Sequence, residues 1–461
     1  MRRSRSNRLR GGLAVLALGL AACVAAHAAS PGRADEPVVL RGAAIGALDG
    51  TNPDAIVAYG FDGGWFRIAL QVDERHVTDF GTVYGGEPGG TTFLTYSDPG
   101  TFSGPDPDTG FDADDELVFL LGDAGTDPAP SISSPAGTSP DTRIAITLRD
   151  PSSGHQSYVY LFVATGEVEP VRSPHPVVYD FVLLSGNYKT TYDFDGCSDP
   201  EGCNPETSTI TTAHYQVGFA DRWIRDETRW IDPAGTVGFD RIDRHKTLFA
   251  PGQCQRSELT FSRGRGAFLV NRSGPVRALR GYVGANSGPT TYRIHAFYPR
   301  REVILSVLRV HPIPGIVDFF DYAPGHGAMT YFNDLEPDGV PVDGVPDDVA
   351  TGPLSWEAIR WDDAGGSVAH VTRIDTDIPD LVESSFYSDS ANPLFTQCTG
   401  DDVEHGASGF RTFDIPNTDD SGGVFANRFR ATRTIRWNDP TDPADGTAGA
   451  RDLARSVDRP V

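Results

Sequence analysis

Three short stretches of the chain concentrate acidic residues around glycine, which is a composition typical of calcium-binding loops. Ca²⁺ prefers hard oxygen ligands, and extracellular sites of modest geometry bind it with affinities of about 1 mM. The predicted ligands are Asp106, Asp108, Asp112 and Asp114 in the first stretch, Asp193, Asp195 and Asp199 in the second, and Asp338, Asp343 and Asp347 in the third. Acidic turns are also common on any acidic surface, because Asp and Gly are frequent turn formers. None of the stretches has the full EF-hand pattern, so the prediction rests on composition alone. We expect calcium as a structural ion in at least one of them.

Basic and aromatic side chains recur on two predicted strands. Alternation places Arg293 and His295 on one face of a hairpin and Tyr292, Arg309 and His311 on the other. Near the end of the chain, Arg428, Arg430 and Arg436 recur at even spacing and give one strand face a cationic stripe. Such a face usually pairs with carboxylates of neighbouring strands. The alternative is that it receives an anionic ligand.

Absent motifs and the net charge exclude several classes of function. The sequence has no G-x-S-x-G elbow, no H-E-x-x-H, no Walker loop and no dinucleotide fingerprint. A formal net charge of −24 repels nucleic acid and anionic lipid, so no nucleic-acid partner is expected. A Ser-His-Asp triad stays open, because the chain has 11 histidines and triad members need no fixed spacing.

Residues 1–29 have the pattern of a signal peptide. Five arginines precede an apolar run from Leu13 to Ala22, which is about half the length of a membrane-spanning helix. Two cleavage sites compete: a lipobox that ends at Cys23, which would make a lipoprotein, and Ala26-His27-Ala28, which would release a free protein. We expect an exported protein in the periplasm, on the cell surface or outside the cell. Its contact with a membrane would be through a lipid on Cys23.

Four cysteines remain after the export segment, namely Cys197, Cys203, Cys254 and Cys398. In an oxidising compartment four cysteines suggest two disulfides, with three possible pairings. We favour Cys197 with Cys203, which closes a local loop, and Cys254 with Cys398, which ties distant segments. A zinc site is the alternative, but the spacing lacks any C-x-x-C.

Strand patterns dominate the rest of the chain. Residues 143–148 alternate apolar with polar residues, and helical periodicity over ten or more residues is hard to find. Many short strands joined by turns that are rich in glycine and proline predict an all-β protein of two β-sandwich domains. The predicted segments are a tether at 30–36, domains at 37–165 and 170–437, and a flexible tail at 438–461.

The clearest hairpin joins residues 292–298 to residues 303–311 through a turn centred on Arg300 and Arg301. With that turn, Ile294 and Ala296 share a face with Val303, Leu305 and Val307. A face of apolar residues from both strands is what a core requires.

Three phrases of the sequence carry a resemblance to a known family. Gln71-Val72-Asp73-Glu74, the Asp-Asp-Glu-Leu-Val-Phe of residues 114–119 and the Ser-Gly-Pro-Val-Arg-Ala of residues 273–278 resemble phrases of secreted bacterial proteins related to rhamnogalacturonan exolyases. The resemblance implies that the larger domain is a mutarotase-like sandwich, or supersandwich, and that the protein binds or processes polysaccharide. The helical toroid of those lyases is not visible in the sequence.

Polysaccharide lyase chemistry would suit some of the basic residues. Elimination from a uronate needs its carboxylate neutralised by Arg or Ca²⁺, so that a His or Tyr base can remove the C5 proton. His295 with Arg293, or His311 with Arg309 and Tyr292, could supply these roles. The leading expectation is an exported protein that binds or processes an acidic polysaccharide or oligosaccharide. The alternatives are a non-catalytic scaffold stabilised by calcium and disulfides, and a secreted hydrolase with a scattered triad.

Overall fold

The structure is a computed structural model, and some segments of the chain lie outside the described residues. Described are residues 33–85, 91–129, 131–184, 186–191, 206–220, 224–249, 265–284, 290–309, 313–323, 327–362, 366–390, 406–415, 428–438 and 446–461. The predicted signal peptide and lipobox, the four cysteines of the predicted disulfides, the ligands Asp193, Asp195 and Asp199, and His311 lie outside them. In the described part of the chain, no helix is both long and apolar enough to cross a membrane.

The first domain is a sandwich of two antiparallel sheets. Its strands are β1 (Pro37–Arg41), β2 (Ile56–Phe61), β3 (Trp65–Ile68), β4 (Gln71–Asp73), β5 (Arg75–Asp79), β6 (Thr92–Tyr96), β7 (Glu116–Leu120), β8 (Ile144–Arg149) and β9 (Gln156–Val163). One sheet has the order β1-β7-β4 and the other β3-β2-β9-β8, while β5 and β6 form a separate ribbon. Short 3₁₀ helices lie at Gly42–Ala44, Gly46–Leu48, Pro53–Ala55, Phe80–Tyr84, Leu121–Asp123 and Pro140–Thr142. Buried Leu117 and Phe119 of β7 meet Val159 and Leu161 of β9 between the sheets.

The second domain stacks a large sheet against two smaller ones. A five-stranded sheet contains β10 (Val178–Asp180), β11 (Ser208–Thr211), β12 (Tyr215–Phe219), β13 (Arg225–Ile231) and β14 (Val237–Asp240) in that order. A four-stranded sheet has the order β15 (Ile242–Phe249), β20 (Ile313–Tyr322), β26 (Ala407–Ile415) and β25 (Val382–Ser388). A nine-stranded sheet has the order β16 (Gly266–Arg272), β17 (Ala278–Gly284), β18 (Tyr292–Phe297), β19 (Arg301–Arg309), β27 (Arg428–Asn438), β24 (Ser367–Thr376), β23 (Glu357–Trp361), β21 (Met329–Asn333) and β22 (Val340–Val342). Val217, Phe320 and Trp437, one from each sheet, share one buried cluster. The predicted all-β sandwich architecture is therefore confirmed.

The predicted hairpin of β18 and β19 is confirmed, with the predicted residues on one face, but its turn centres on Pro299 and Arg300, one residue earlier than predicted. Ile294 pairs with Leu305 and Ala296 pairs with Val303, so these four side chains share a face. That face packs against the first domain, where it meets buried side chains that include Val118 of β7. This face of the hairpin is thus one of the contacts between the two domains.

Two predictions about the chain ends are wrong. The residues 446–458 of the predicted flexible tail form a helix, α1 (Gly446–Asp458), whose Leu453 is buried against Trp356. The predicted tether contains Asp35, whose carboxylate lies 2.8 Å from Arg301 Nε and 3.3 Å from Arg436 Nε. Both segments looked solvent-exposed because their residues are small or polar. The helix buries a narrow stripe of small side chains, and the tether buries ion pairs.

The interior of the larger sandwich contains charged groups as well as apolar side chains. His295 Nδ1 lies 2.9 Å from Glu302 Oε1, and Arg225 also binds Glu302. Burial lowers the pKa of His295 to about 4, although Glu302 opposes the shift. Burial would raise the pKa of Glu302, but Arg225 and His295 lower it to about 2. A neutral imidazole therefore lies beside an ionised carboxylate in a closed interior.

This interior makes the protein sensitive to mild acid. In the unfolded chain, His295 binds a proton with a pKa near 6.5. In the folded protein, it binds that proton only below about pH 4. Stability should fall as the pH drops from about 6.5 to about 4, by about 1.4 kcal/mol per pH unit for this histidine. In urea unfolding, His295→Asn should lose that part of the slope.

His175→Asn is the matched control. The carboxylate of Asp123, 3.7 Å away, raises the pKa of His175, which is half-exposed, so His175 is protonated in both states through this window. The control should keep the wild-type slope. An identical slope in His295→Asn and the wild type would contradict the assignment of a neutral buried His295.

Candidate functional site

His295 and Arg293, the first predicted catalytic pair, lie in the closed interior and not at a surface. Both side chains are 0 % exposed. Arg293 Nη2 donates to Asp318 Oδ2 at 3.2 Å, and its Nε donates to Ser306 Oγ at 2.8 Å. A general base has to come within hydrogen-bonding reach of the proton it removes. The structure does not support this pair as lyase machinery, because neighbouring strands enclose both groups.

The second predicted set is not brought together among the described residues. The ring of Tyr292 packs between the domains, 5.7 Å from Phe80 and 5.6 Å from Phe93. Arg309 ends β19 opposite Arg428, and His311 lies outside the described residues. Tyr292 therefore has a packing role, and the roles predicted for Arg309 and His311 stay predictions.

The predicted cationic stripe on β27 pairs with carboxylates at both ends. Arg428 Nη2 lies 2.8 Å from Asp375 Oδ1 in an exposed ion pair. Arg436 contacts the carboxylate of Asp35. For Arg428 and Arg436, the structure therefore agrees with pairing to neighbouring carboxylates, the commoner of the two alternatives for such a face.

Asp112 and Asp114 of the first acidic stretch come together with Asp115 in the loop before β7. One carboxylate oxygen of each lies within 4.8 Å of the others, and no second group of this kind occurs in the part of the chain that the structure describes. Burial raises the pKa of Asp114 to about 7, and Asp112 and Asp115 add to the shift. A cation among the three oxygens would relieve the repulsion. The predicted ligands were at alternate positions and did not include Asp115. The loop turns back on itself here and so brings Asp115 to the other two.

The other predicted ligands of the first stretch are used in turns. Asp106 accepts hydrogen bonds from Ser97 Oγ and the backbone N–H of Asp108, both at 3.0 Å. Asp108 accepts from the N–H of Gly110 at 3.2 Å. Neither carboxylate belongs to the group of three. Local backbone capping therefore accounts for both residues.

The third acidic stretch does not form a described metal-ligand group. Asp343 accepts from the N–H of Val345 at 3.0 Å, while Asp338 is exposed. Asp389, which sequence reasoning missed, accepts from the N–H groups of Asp343 and Gly344. The predicted ligands Asp338, Asp343 and Asp347 are thus not gathered around one point.

A polar groove opens where the first domain meets β16. It has a volume of about 430 Å³. Its wall includes Asp54, Arg67, Glu74, Arg272 and Ser273. Two of the three phrases that carry the family resemblance contribute to its wall. No aromatic ring lines the groove among the described residues.

Beneath the groove, one buried arginine connects all three phrases. Arg277 Nε donates to Asp73 Oδ2 at 2.9 Å, and its Nη2 donates to Glu116 Oε2 at 2.7 Å. Gln71 Oε1 accepts from the N–H of Arg277 at 3.0 Å. A Cβ on Gly274 would lie 2.1 Å from that same Gln71 oxygen, so this close approach requires glycine. The phrases therefore encode the framework of the domain junction.

The two guanidinium groups of the groove lie in one opening with the carboxyl groups of Asp54 and Glu74. Arg67 Nη1 donates to the carbonyl oxygen of Glu169 at 3.2 Å, and Arg272 Nη1 donates to that of Ser97 at 3.3 Å. Neither guanidinium forms an ion pair with any residue that the structure describes. Burial raises the pKa of Glu74, the nearby Asp115 and Asp106 add to this effect, and the charge of Arg272 opposes it. Two arginines and a carboxyl group with a raised pKa thus line the groove.

Comparisons with known proteins give no family assignment. No family model matches the sequence, and no curated protein matches it. Among solved structures, the chain is similar to a protein of Escherichia coli K12 described as a candidate aldose 1-epimerase, with 8 % identity and a TM-score of 0.28 over 49 % of this chain and 96 % of that chain. It is also similar to the Slr1438 protein of Synechocystis sp. PCC 6803, with 9 % identity and a TM-score of 0.27 over 52 % of this chain and 99 % of that chain. Likeness at these scores carries no argument about family or function, and the mutarotase-like identity of the larger domain stays a prediction.

Proposed function

We propose that the protein binds an acidic carbohydrate in the groove at the domain junction. The observation that carries this proposal is the pair Arg67 and Arg272, which line the groove and form no ion pair with a described residue. On a chain of net charge −24, carboxylates are abundant, yet no described carboxylate forms an ion pair with either group. A guanidinium binds carboxylate through two parallel hydrogen bonds, which makes an acidic sugar a fitting ligand.

The rest of the groove suits the hydroxyl groups of a sugar. Asp54 and Glu74 offer carboxyl oxygens, and Ser273 offers a hydroxyl. The volume of about 430 Å³ lies within the range of known small-ligand sites. Because no ring lines the described wall, affinity would come from charge and hydrogen bonds and not from stacking.

Turnover of the bound carbohydrate is the second candidate function. The observation that favours it is the raised pKa of Glu74. A carboxyl group can act as a general acid or base most effectively when its pKa lies near the working pH. Burial raises the pKa of Glu74 in that direction. Lyase or hydrolase activity would use this group to move a proton, with Arg272 beside it to neutralise a substrate carboxylate.

Calcium is the proposed structural ion of the loop that carries Asp112, Asp114 and Asp115. The support is the close approach of their carboxylate oxygens and the raised pKa of Asp114. The loop leads directly into β7, whose Glu116 binds Arg277 beneath the groove. Export, which the N-terminal sequence predicts, would supply calcium at the about millimolar level that such a site needs.

The affinity for a glycan should depend on the acidic groups of the glycan and on the side chains of Arg67 and Arg272. Isothermal titration with an oligogalacturonide should show binding that falls with added salt, whereas a neutral glucan of equal length should bind far more weakly. Arg67→Ala and Arg272→Ala should each lower the affinity by about tenfold or more, because each removes a charged hydrogen-bond donor.

Arg428→Ala is the control for the groove, because Arg428 is an exposed arginine that pairs with Asp375 elsewhere on the surface. Its affinity should equal that of the wild type. Equal binding of acidic and neutral glycans, or unchanged binding in both groove variants, would refute the proposal. An absorbance assay for unsaturated uronate on the same samples separates binding from elimination.

Calcium removal should lower the melting temperature of the mature protein, and Asp114→Asn should abolish the difference between chelated and calcium-loaded samples. Asp343→Asn is the control and should keep the difference. Because the pKa of Asp114 is about 7, calcium affinity should weaken by up to about tenfold per pH unit below that value. Superimposed melts of calcium-loaded and chelated protein would rule out the site.

A further inference from the structure

Glu74 and Arg272 line the same groove without binding each other. Among the described residues, none forms a hydrogen bond or an ion pair with the half-buried carboxyl group of Glu74. Arg272 Nη1 donates to the carbonyl oxygen of Ser97 at 3.3 Å, and the N–H of Ser97 donates to the carbonyl oxygen of Glu74 at 2.9 Å. The main chain at Ser97 thus holds the two residues side by side, while neither side chain has an ion-pair partner in the described part of the chain.

The charged groups that face Glu74 are three carboxylates and one guanidinium. Asp115 and Asp106 lie in the segment before β7, Arg272 ends β16, and Asp54 lies in the 3₁₀ helix Pro53–Ala55. Burial raises the pKa of Glu74, the three carboxylates add to this shift, and Arg272 opposes it. Among these groups, Arg272 is therefore the one whose charge stabilises the ionised form of Glu74.

A ligand carboxylate at Arg272 would remove this stabilisation. It would neutralise the guanidinium group and place a further negative charge beside Glu74. Both changes favour the protonated form of Glu74, because two carboxylates that share one site cannot both ionise easily. Once protonated, the carboxyl group of Glu74 can donate a hydrogen bond to the ligand carboxylate. The repulsion between the two acidic groups then becomes an attractive contact.

We propose that the groove takes up a proton on Glu74 when it binds an acidic sugar, so that its affinity is regulated by pH. This inference rests on the proposed binding of an acidic carbohydrate in the groove. The proton comes from solvent and stays on the carboxyl group of Glu74, between that group and the ligand carboxylate. Arg67 and Arg272 attract the ligand, and Glu74 sets the pH range in which it is held tightly.

The direction of the pH dependence follows from the linkage between binding and protonation. The pKa of Glu74 is higher in the complex than in the unliganded protein, so binding takes up a proton at pH values between the two. In that range the affinity falls as the pH rises, by up to about tenfold per pH unit. Below both values Glu74 is protonated with or without ligand, and above both it is ionised in either state. Its contribution to the pH dependence vanishes at both extremes.

Isothermal titration of the mature protein with trigalacturonate tests the proposal. The titrations run from about pH 5 to about pH 8, a range in which ordinary carboxyl groups stay ionised. Repeating each titration in buffers of different ionisation enthalpy gives the number of protons that are taken up with the ligand. The wild type should take up protons, and its affinity should fall as the pH rises. All samples contain the same calcium concentration, so that the aspartate loop does not differ between variants.

Glu74→Gln assigns the proton to this residue, because glutamine keeps the shape and a hydrogen-bond donor of the protonated carboxyl group but cannot ionise. The variant should bind trigalacturonate about as tightly as the wild type at about pH 5, and about fivefold or more tightly than the wild type at about pH 8. Its proton uptake should be smaller by up to one proton per ligand. Asp54→Asn is the matched control, because it removes a carboxylate from the same wall and should retain the proton uptake of the wild type.

Equal proton uptake in the wild type and in Glu74→Gln would overturn the proposal, and so would a wild-type affinity that does not change with pH. In either case the groove would remain a binding site, because binding itself is judged by Arg67→Ala and Arg272→Ala. Absence of trigalacturonate binding at every pH would refute the groove and the proton coupling together. Unchanged melting temperatures would show that Glu74→Gln and Asp54→Asn fold.

Discussion

Arg277 brings two carboxylates from the first domain into contact with the second domain. Its guanidinium is 3 % exposed and binds Asp73 of β4 and Glu116 of β7 from the start of β17. Removing three charged groups from water is costly, and the cost is offset only when the geometry satisfies all of them. Tyr298 Oη accepts from Arg277 Nη1 at 3.0 Å, which completes the set. This requirement fixes β4 and β7 against β17, and thereby the position of the groove above them.

Buried ion pairs of arginine with carboxylate also occur in the core of the larger domain. Arg225 binds Glu302, Arg280 binds Glu206, and both guanidinium groups lie over aromatic rings. Buried ion pairs add little net stability compared with apolar packing, but they penalise any arrangement that separates the partners. The strands are therefore held in one register by charge as well as by shape. The histidines of this layer are buried among these ion pairs, whereas the polar groove at the domain junction is open to solvent.

The sequence could predict which residues share a face of a strand, because this depends on period-two alternation. It placed Ile294 and Ala296 on the core face of the hairpin and Arg293 and His295 on the opposite face. It could not tell that another sheet covers the second face, because alternation says which residues share a face and not what packs on it. Asp35 was missed for a related reason. Its partner Arg301 is 266 residues away in the sequence, so a local pattern of polar residues indicates only a tether.

The proposed glycan site places two guanidinium groups in a molecule of net charge −24, and this combination sets the kind of ligand that can bind. The acidic surface repels polyanions, but at physiological salt the repulsion is screened beyond about 8 Å. The guanidinium groups of Arg67 and Arg272 act at contact distance, where the charge-assisted hydrogen bonds are strongest. A long polyanion lying across the surface would meet repulsion along most of its length. A short segment or chain end would lie in the groove, close to both arginines, and would avoid most of that repulsion, so the acidic background itself would provide selectivity.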